Sequence, residues 1–525
     1  MCPYCITQIK MTDYCRFISF NYFSIPTESL HKPGQIKFFY ATMHRNHSVP
    51  LWKLLKLNKC LSHDASKLPL SIEHMPRPKS LPLLGTKLQF IAAGSGTKLH
   101  EYADSRHKQL GPIYCEKLGG NTDLVFVSDP MLIRTLLLNL EGKYPIHILP
   151  EPWVLYEKLY GSKRGLFFMN GDEWLKNRRI MNKHLLKELS ESTFETPVKN
   201  TVNNLIQRWK MEIEKGTFVP NLESELYRFS IDVIIAVMSG SSSSLKPNKH
   251  YESLLTMFTE AVKKIFQTTT KLYGLPVNVC QKLNLKVWRD FKESVDISLS
   301  LAHKIVGEML LHSKDSNGLI NVLSEENMEP EDIKRIIADF VIAAGDTTSY
   351  TSIWTLFLLS KNKSVTQELY SRKSYINYVI KESMRLYPVA PFLTRILPKE
   401  CILGQYRLDK GTPIIASIYT SGRDEWNFSK ADEYLPYRWD RNDARRKDLL
   451  NHVSSASLPF ALGARSCIGK KLAMLQMTEL INQIVENFEF KCLNEDEIDA
   501  NTSQVLVPSK DIKLAFSLRK PEMKL

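Results

Sequence analysis

Hydrophobic residues recur at three- and four-residue intervals through most of the chain between about residues 130 and 390. This spacing places them on one face of a helix, so the region is predicted to be largely helical. Residues 331–360 are mainly apolar and predict a single helix of about 45 Å, at about 1.5 Å for each residue. Pro330, followed by Glu331 and Asp332, suits the first turn of that helix.

Strand patterns are shorter and fewer. Two apolar runs, at 113–118 and 123–128, flank Gly119-Gly120-Asn121 and predict a β-hairpin. Residues 401–418 predict two further extended runs joined by a turn at 409–411. The pattern therefore predicts a mainly α fold with small β-sheets, and no internal repeat is visible.

The folded part of the chain is predicted to begin near residue 76. Residues 76–82 hold three prolines, which stop a preceding helix, and no later linker divides residues 76–525. Residues 1–75 lack the roughly 18 consecutive apolar residues of a membrane-spanning helix. Within them, 43–63 carry four basic residues, no acid and leucines at helical spacing. This pattern predicts a mitochondrial transit peptide, with translation starting at Met43 as one hypothesis and a basic tail as the alternative.

Composition narrows the class of protein. The 525 residues are 43% hydrophobic and 24% charged, which excludes a disordered chain and a collagen-like repeat. Nine scattered cysteines do not form a disulfide framework, so we expect a reducing compartment. The net charge of +14 favours an acidic partner or an anionic membrane. Nucleic acid is not expected, because the basic residues are spread along the chain without a nucleic-acid motif.

One cysteine lies in a distinctive setting. Residues 460–469 read FALGARSCIG and precede a segment whose apolar residues have helical spacing. Cys467 is therefore predicted just before a helix amino terminus, where N–H groups and the helix dipole stabilise a thiolate. Such a sulfur suits iron, and Gly463 and Gly469 permit the close approach of a flat cofactor. The alternative is a buried cysteine packed as a small hydrophobe.

Two upstream segments place polar side chains at helical spacing. Glu382 and Arg385 are three residues apart and can form an ion pair, which on a surface would carry no function. Within the long predicted helix, residues 343–349 read AAGDTTS, and a buried Asp and Thr there need hydrogen-bond partners. A helix–helix contact built from small residues is the alternative explanation of that segment.

The order Phe-x-x-Gly-x-Arg-x-Cys-x-Gly at 460–469 resembles the haem-binding signature of the cytochrome P450 family. The resemblance implies the cytochrome P450 fold and haem b as cofactor, with Cys467 as the thiolate ligand of the iron and Phe460 in the haem site. It also implies residues that bind the haem propionates: Trp174, Arg178, Arg395 and Arg465.

The same resemblance gives roles to the two upstream segments. It implies that Glu382 and Arg385 form a structural network with Arg438, beneath the haem. It implies further that Asp346 and Thr347 are catalytic, as the acid–alcohol pair that relays protons to iron-bound dioxygen. The substrate pocket is predicted to be lined by residues of the long helix and of the segment after Arg385, namely Phe340, Ala343, Val389, Ala390 and Phe392.

Residues 98–120 and 164–186 resemble most the insect mitochondrial P450s of ecdysteroid synthesis, and among them the 2-hydroxylase. This implies a steroid substrate, an ecdysteroid precursor, whose C2 is hydroxylated with O2. It implies electrons from a ferredoxin and its reductase, with peripheral membrane contact on the matrix face of the mitochondrial inner membrane. Lys381 matches a docking lysine for the ferredoxin, and Asn377 replaces a residue that is often basic. Lys373, Lys470 and Lys471 are candidates to compensate.

Other activities remain open from the sequence. Two positions depart from the commoner family pattern, Tyr437 in place of Glu and Ala344 in place of Gly. The chain could act on another sterol or lipophilic substrate. A P450-fold isomerase or dehydratase would not need the Asp346–Thr347 pair, and a haem sensor would bind haem without monooxygenation.

Overall fold

We analysed a computed structural model that describes residues 68–520, except 83, 119–121, 162, 187–190, 217, 241–248, 313–316 and 327. The predicted transit peptide and Met43 lie outside the described residues. The described residues include a short strand upstream of residue 76, since Leu70–Ser71 pairs in parallel with Tyr406 and Arg407. The prolines at 76–82 follow that strand in the chain.

Helices make up most of the described chain. In chain order the α-helices are α1 Lys87–Ala92, α2 Leu99–Leu110, α3 Pro130–Thr135, α4 Glu151–Tyr160, α5 Gly171–Leu185, α6 Thr196–Glu214, α7 Leu222–Ser239, α8 Lys249–Leu272, α9 Val277–Lys282, α10 Lys286–His312, α11 Leu319–Glu325, α12 Pro330–Lys361, α13 Lys363–Ser371, α14 Ile376–Leu386, α15 Ile418–Arg423 and α16 Lys470–Asn487. The mainly α prediction is confirmed, including the helix over 99–110 and the long helix, α12.

The strands are short and form small sheets. They are β1 Leu70–Ser71, β2 Ile113–Glu116, β3 Leu124–Val127, β4 Phe392–Ile396, β5 Cys401–Leu403, β6 Tyr406–Leu408, β7 Pro413–Ser417, β8 Phe488–Cys492, β9 Ala500–Ser503, β10 Val505–Pro508 and β11 Leu514–Leu518. One sheet has the order β2-β3-β7-β4 and another the order β1-β6-β5, while β8 pairs with β11 and β9 with β10.

The predicted hairpin is present, since β2 and β3 pair antiparallel with Ile113 opposite Val127. The prediction for 401–418 was incomplete. Three strands occupy that segment, because a second turn at Gly404 separates β5 from β6, and Gly404 has a φ of +64° that favours glycine. Apolar residues flank Gly404 on both sides, so their pattern alone does not separate the two strands.

Helix α12 is the axis of the main hydrophobic core. It packs against α7, α10, α14 and α16, and most of its side chains are buried on every side. Pro330 stands at its first turn with Glu331 and Asp332, and Lys361 lies in its last turn. The acidic residues are therefore at the positive end of the helix dipole and the lysine is at the negative end, which is favourable. A helix that is buried over most of its surface is mainly apolar, which explains the pattern of 331–360.

Candidate active site

The predicted iron ligand lies in a tight loop before α16. The Ser466 amide donates to the Gly463 carbonyl at 3.1 Å, and the Cys467 amide donates to the Phe460 carbonyl at 2.9 Å. Gly463 has a φ of +79°, and a Cβ there would lie 2.1 Å from the carbonyl oxygen of Leu137. Only glycine fits this position, and it holds the loop against the helical turn before Glu141.

The thiol of Cys467 is accessible to solvent, although protein surrounds it closely on the other sides. Burial raises the pKa of this thiol, while the Gly469 amide, Arg178 and Lys470 act to lower it. The predicted position just before a helix amino terminus is present, because α16 begins at Lys470. An accessible sulfur with amide and cationic neighbours is suited to bind a metal as the thiolate.

Three arginines of the predicted set lie around the Cys467 loop. The buried Arg178 of α5 donates from Nη2 to the Ser466 carbonyl at 2.5 Å. Arg395 of β4 is buried as well and donates from Nε to the Glu141 carboxylate at 2.7 Å. Arg465 lies 4.3 Å above the ring of the buried Trp174. The structure therefore brings the four predicted propionate residues to one region.

Glu141 connects these groups, and sequence reasoning missed it. Its carboxylate accepts from Arg395 and from the Ala464 amide at 2.8 Å, so it joins β4 to the cysteine loop. His147 was missed as well. It stacks on Phe167 at 4.2 Å between ring centroids, and burial with Arg465 and Arg395 lowers its pKa to about 3. The histidine is thus neutral beside the arginines.

One face of α12 is open amid buried neighbours. Ala343 is exposed, and Phe340, Ala344 and Thr347 are half-buried, at the three- and four-residue steps of a single helical stripe. The Thr347 hydroxyl donates to the Ala343 carbonyl at 2.9 Å. This stripe includes the two pocket residues predicted on α12.

Asp346 does not lie on that open face. It is 2% exposed and one residue from Thr347, which turns it about 100° around the helix. Burial, followed by the charge of Glu223, raises the pKa of its carboxyl well above the usual range. The predicted acid and alcohol are neighbours in sequence, but their side chains point to different surroundings.

The three pocket residues predicted after α14 have separate positions. Val389 is buried in the main core, where its carbonyl accepts the Leu506 amide at 2.9 Å. Ala390 is half-buried. Phe392 packs against the buried Tyr114 and Phe126 at the four-stranded sheet.

A buried ion network lies at the end of α14. Glu382 accepts from Arg385 at 2.8 and 3.0 Å and from Arg438 at 2.8 Å, and all three side chains are fully buried. Trp439 donates to the same carboxylate at 2.8 Å. Burial alone would raise the pKa of Glu382, but the two guanidinium groups hold it below its usual value. The structure thus brings the predicted network together.

The remaining donors of this network bind backbone. Arg385 donates to the Gly422, Ala431 and Glu433 carbonyls, and Arg438 donates to the Ser429 and Lys430 carbonyls. These contacts tie α14 to the chain over residues 422–439. Tyr437, the departure from the family pattern, lies 4.6 Å beneath the guanidinium group of Arg445 and outside the network.

A second buried ion pair was missed by sequence reasoning. Arg164 donates to the Asp339 carboxylate at 2.7 and 2.9 Å, and the Gly165 amide donates to the other carboxylate oxygen at 2.7 Å. The Arg164 guanidinium also lies 4.6 Å from the Trp153 ring. The signal was an Asp within an apolar helix, which needs a partner just as Asp346 does.

Comparison with known proteins decides the family. The profile of the cytochrome P450 family matches residues 75–516. The chain belongs to the cytochrome P450 family. Its members are haem-dependent monooxygenases in which a cysteine thiolate binds the iron, so this P450 is an oxidoreductase with haem as its cofactor.

Several curated relatives are mitochondrial P450s. "Cytochrome P450 315a1, mitochondrial" of Drosophila melanogaster is 38% identical over 468 residues, which cover 85% of this chain and 88% of the relative. The rat "1,25-dihydroxyvitamin D(3) 24-hydroxylase, mitochondrial" is 27% identical, with 86% and 90% covered. The horse "Cholesterol side-chain cleavage enzyme, mitochondrial" is also 27% identical, with 84% and 90% covered. This P450 is thus related to mitochondrial steroid and sterol hydroxylases.

The polar groups of the site fit a haem. Arg178 Nε and Arg395 Nη2 are buried donors that lack a partner within the described part of the chain. Such donors are costly unless an acceptor reaches them, and two propionates supply acceptors of opposite charge. Arg465 differs, because it donates to the Pro145 carbonyl at 2.9 Å and to the Met169 carbonyl at 2.7 Å. It would bind a propionate only in exchange for carbonyl contacts.

The Glu382 network should contribute strongly to the stability of this P450. Glu382→Ala leaves two buried guanidinium groups without their carboxylate, which costs about 3–5 kcal/mol. We therefore expect a marked fall in the apparent melting temperature and in the yield of haem-bound protein. Both are measured by circular dichroism and by absorbance.

The matched control is Glu331→Gln, which removes the exposed i,i+3 pair of Glu331 with Lys334. Water screens that pair and the charge near the helix amino terminus, so the melting temperature should fall much less than in Glu382→Ala. An equal effect of the two variants would contradict a special role for the buried network.

Proposed function

We propose that this P450 is a mitochondrial steroid hydroxylase that hydroxylates C2 of an ecdysteroid precursor, with electrons from a ferredoxin. The main support is the combination of an accessible Cys467 thiol with an apolar open face on α12. The haem would lie between them, with Cys467 as the iron ligand. Arg178, Arg395 and Trp174 would hold the propionates.

Haem supplies O2 reduction and the insertion of one oxygen atom into a C–H bond, while the other atom leaves as water. The protein's own groups bind the substrate, exclude water and deliver two protons. Thr347 on the open face would present its hydroxyl to the reacting side. Asp346 would supply protons to Thr347, because its raised pKa keeps a transferable proton at neutral pH.

The steroid assignment is supported by relatives and by the chemistry of the open face. Two relatives are named for a vitamin D compound and for cholesterol, which are a sterol derivative and a sterol. The stripe of Phe340, Ala343 and Ala344 offers carbon atoms and no charge, which suits a rigid apolar ring system. Among candidate steroids, we choose an ecdysteroid precursor because of the resemblance of residues 98–120 and 164–186 to the insect enzymes.

Two spectra test this function on the purified holoenzyme. The dithionite-reduced protein with carbon monoxide should show the strongly red-shifted Soret band of thiolate ligation, and Cys467→His should lose it. Titration with an ecdysteroid precursor that lacks the 2-hydroxyl should shift the ferric spectrum. With ferredoxin and reductase, the product should carry one added hydroxyl at C2.

Different results separate the alternatives. Absence of the red-shifted Soret band in the wild-type protein would contradict the binding of iron by Cys467. Binding and hydroxylation of another sterol at higher affinity would overturn the ecdysteroid assignment but leave the P450 chemistry intact. Rearrangement of a peroxide without electron use would indicate an isomerase, and binding without turnover would indicate a sensor.

The lysines predicted to bind the ferredoxin differ from one another in their neighbouring side chains. Lys373 forms an ion pair with Glu486 at 2.8 Å, so its charge is partly neutralised. Lys381 is exposed on α14, where its ammonium group lies 5.9 Å from the Tyr378 ring. Lys470 is exposed beside the Phe460 ring. Lys381 and Lys470 are therefore better candidates than Lys373 to attract an acidic ferredoxin.

Lys381→Gln should weaken ferredoxin binding about fivefold, since the loss of about 1 kcal/mol in an exposed charge pair corresponds to that factor. The apparent KM for ferredoxin, measured at low salt, reports the change. Lys373→Gln is the matched control and should have a smaller effect. Unchanged KM in Lys381→Gln, or a larger effect of Lys373→Gln, would place the docking surface elsewhere.

Peripheral membrane contact has a candidate surface. Within the described residues, no helix combines the length and apolar character needed to cross a bilayer. Exposed apolar side chains instead gather on two neighbouring segments, since Gly274 lies beside Phe90 of α1. They are Leu81, Leu84, Leu88, Ile91, Leu275, Val279, Leu283 and Leu285. Exposed apolar side chains that lie together indicate an interaction surface, and a lipid surface suits their aliphatic composition.

Leu283→Asp should reduce binding to vesicles of phosphatidylcholine and cardiolipin, because Leu283 is 66% exposed at this patch. Vesicle co-sedimentation measures the bound fraction. Leu311→Asp is the control, since Leu311 is 68% exposed near the far end of α10, about 40 Å along that helix. Equal loss in both variants would argue against a localised membrane contact.

A further inference from the structure

Asp346 has an unsatisfied polar atom in the core. Its Oδ2 is buried and lacks a hydrogen-bond partner among the described residues. An unpaired carboxyl oxygen in a low-dielectric interior is costly, and native structures keep few of them. The side chain points away from the open face of α12 and toward α7. There, burial and then the charge of Asp346 raise the pKa of the Tyr227 hydroxyl.

Tyr227 has a matching orphan hydroxyl. It is 3% exposed, and its hydroxyl oxygen also lacks a partner within the described part of the chain. Its ring lies against the backbone of α12 at Gly345, where an added Cβ would come within 2.7 Å of the ring Cζ and 2.9 Å of the hydroxyl oxygen. Only glycine at 345 permits this approach. The buried Tyr227 hydroxyl therefore lies against Gly345, which directly precedes Asp346 in the chain.

The same two helices carry two further polar side chains that lie closer to solvent. Tyr350 lies one turn beyond Asp346 on α12, and its hydroxyl donates to Glu223 Oε1 at 2.6 Å. Glu223 lies one turn before Tyr227 on α7 and pairs with Lys263 of α8 at 2.7 Å. The Glu223 side chain is 17% exposed and that of Lys263 is 42% exposed. One hydrogen bond and one ion pair thus connect Tyr350 with water, and the unpaired Tyr227 hydroxyl lies between helices α7 and α12 near the buried acid.

We propose that Glu223, Tyr350 and Tyr227 form a proton-entry path that reloads Asp346 from solvent at the Glu223–Lys263 ion pair. The proposal rests on the proposed role of Asp346 and Thr347 in proton delivery. The titratable groups that face Asp346 within the described residues are Glu223 and Tyr227 from α7, Lys263 from α8 and Tyr350 from α12 itself.

The transfer balances as one proton in and one proton out. Asp346 releases its carboxyl proton toward Thr347 and takes one from the Tyr227 hydroxyl. Glu223 first takes a proton from solvent. Tyr350, whose hydroxyl donates to Glu223 in the structure, accepts that proton and turns its own proton toward Tyr227, so each O–H bond broken is replaced. Burial raises the pKa of both tyrosines well above the usual range. Neutral hydroxyls therefore pass the proton in one concerted movement without a lasting tyrosinate.

Two links of the path have no hydrogen bond in the structure, because the Tyr227 hydroxyl contacts neither Tyr350 nor Asp346 in this way. The proposal requires side-chain rotation or a bridging water at each of these links. Rotation of the Asp346 side chain in the other sense turns the carboxyl group toward Thr347. Asp346 would then alternate between a loading side at α7 and a delivery side at the open face of α12.

Infrared spectroscopy of the ferric, substrate-free holoenzyme tests the path without turnover. The protonated Asp346 should give a carboxyl band at neutral pH that Asp346→Asn removes. After transfer to D2O, this band should shift as the proton exchanges. Tyr227→Phe and Tyr350→Phe should each slow that exchange about tenfold, because each removes one relay hydroxyl. Glu223→Gln should slow it in the same way.

Tyr156→Phe is the matched control. It removes a tyrosine–carboxylate hydrogen bond of the same kind, to Asp296 at 2.5 Å, away from α12. Its Asp346 band should exchange at the wild-type rate, and the reduced carbon monoxide spectrum of every variant should show intact thiolate ligation. Wild-type exchange in both Tyr227→Phe and Tyr350→Phe would overturn the path, as would the absence of an Asp346 carboxyl band at neutral pH.

Thr347→Ala separates this path from the proposed function. If Asp346 delivers through Thr347, the variant should consume electrons without forming product, while the exchange rate of the Asp346 band stays the same. Unchanged coupling in Thr347→Ala would contradict the delivery role but leave the exchange result to decide the entry path.

Discussion

A thiol that binds iron has to be open on one side and enclosed on the others. The Cys467 loop meets this requirement through backbone contacts, because Gly463 lies against the Leu137 carbonyl and Arg465 donates to the carbonyls of 145–169. Movement of this loop would change the sulfur position and the arginine cluster together. The β-sheet that carries Arg395, and α5 that carries Arg178, are joined to the loop through Glu141 and Ser466.

Three groups of buried charge near the site differ in whether protein partners compensate them. The Glu382 network satisfies its carboxylate completely, with two arginines, a tryptophan and backbone around it. The arginines near Cys467 keep buried donors without protein partners. The first arrangement stabilises a rigid support, and the second retains positive potential that an anionic cofactor edge can neutralise. Asp346 is a third case, a buried acid whose proton is retained by desolvation.

Much of this architecture could be predicted from the sequence. Periodicity predicted α12 and α2, the Gly-rich turn predicted the β2–β3 hairpin, and the order of Phe460, Gly463, Arg465 and Cys467 indicated the family. These features are local, because spacing within ten or thirty residues specifies a helix face, a turn or a loop before a helix. Pairing partners far apart in the chain were less accessible. Glu141 with Arg395, and Arg164 with Asp339, are separated by 254 and 175 residues.

The amino-acid sequence by itself determined the helical class, the cysteine loop and the types of side chain that the site contains, since these follow from local spacing and residue chemistry. Tertiary structure decided where those side chains point. Asp346 and Thr347 are adjacent in the chain, and the helix itself turns their side chains about 100° apart. Tertiary packing decided that Asp346 is buried and Thr347 lies on the open side. Part of that packing is the approach of Tyr227 to Gly345 from a helix more than a hundred residues away, a contact that no local pattern specifies.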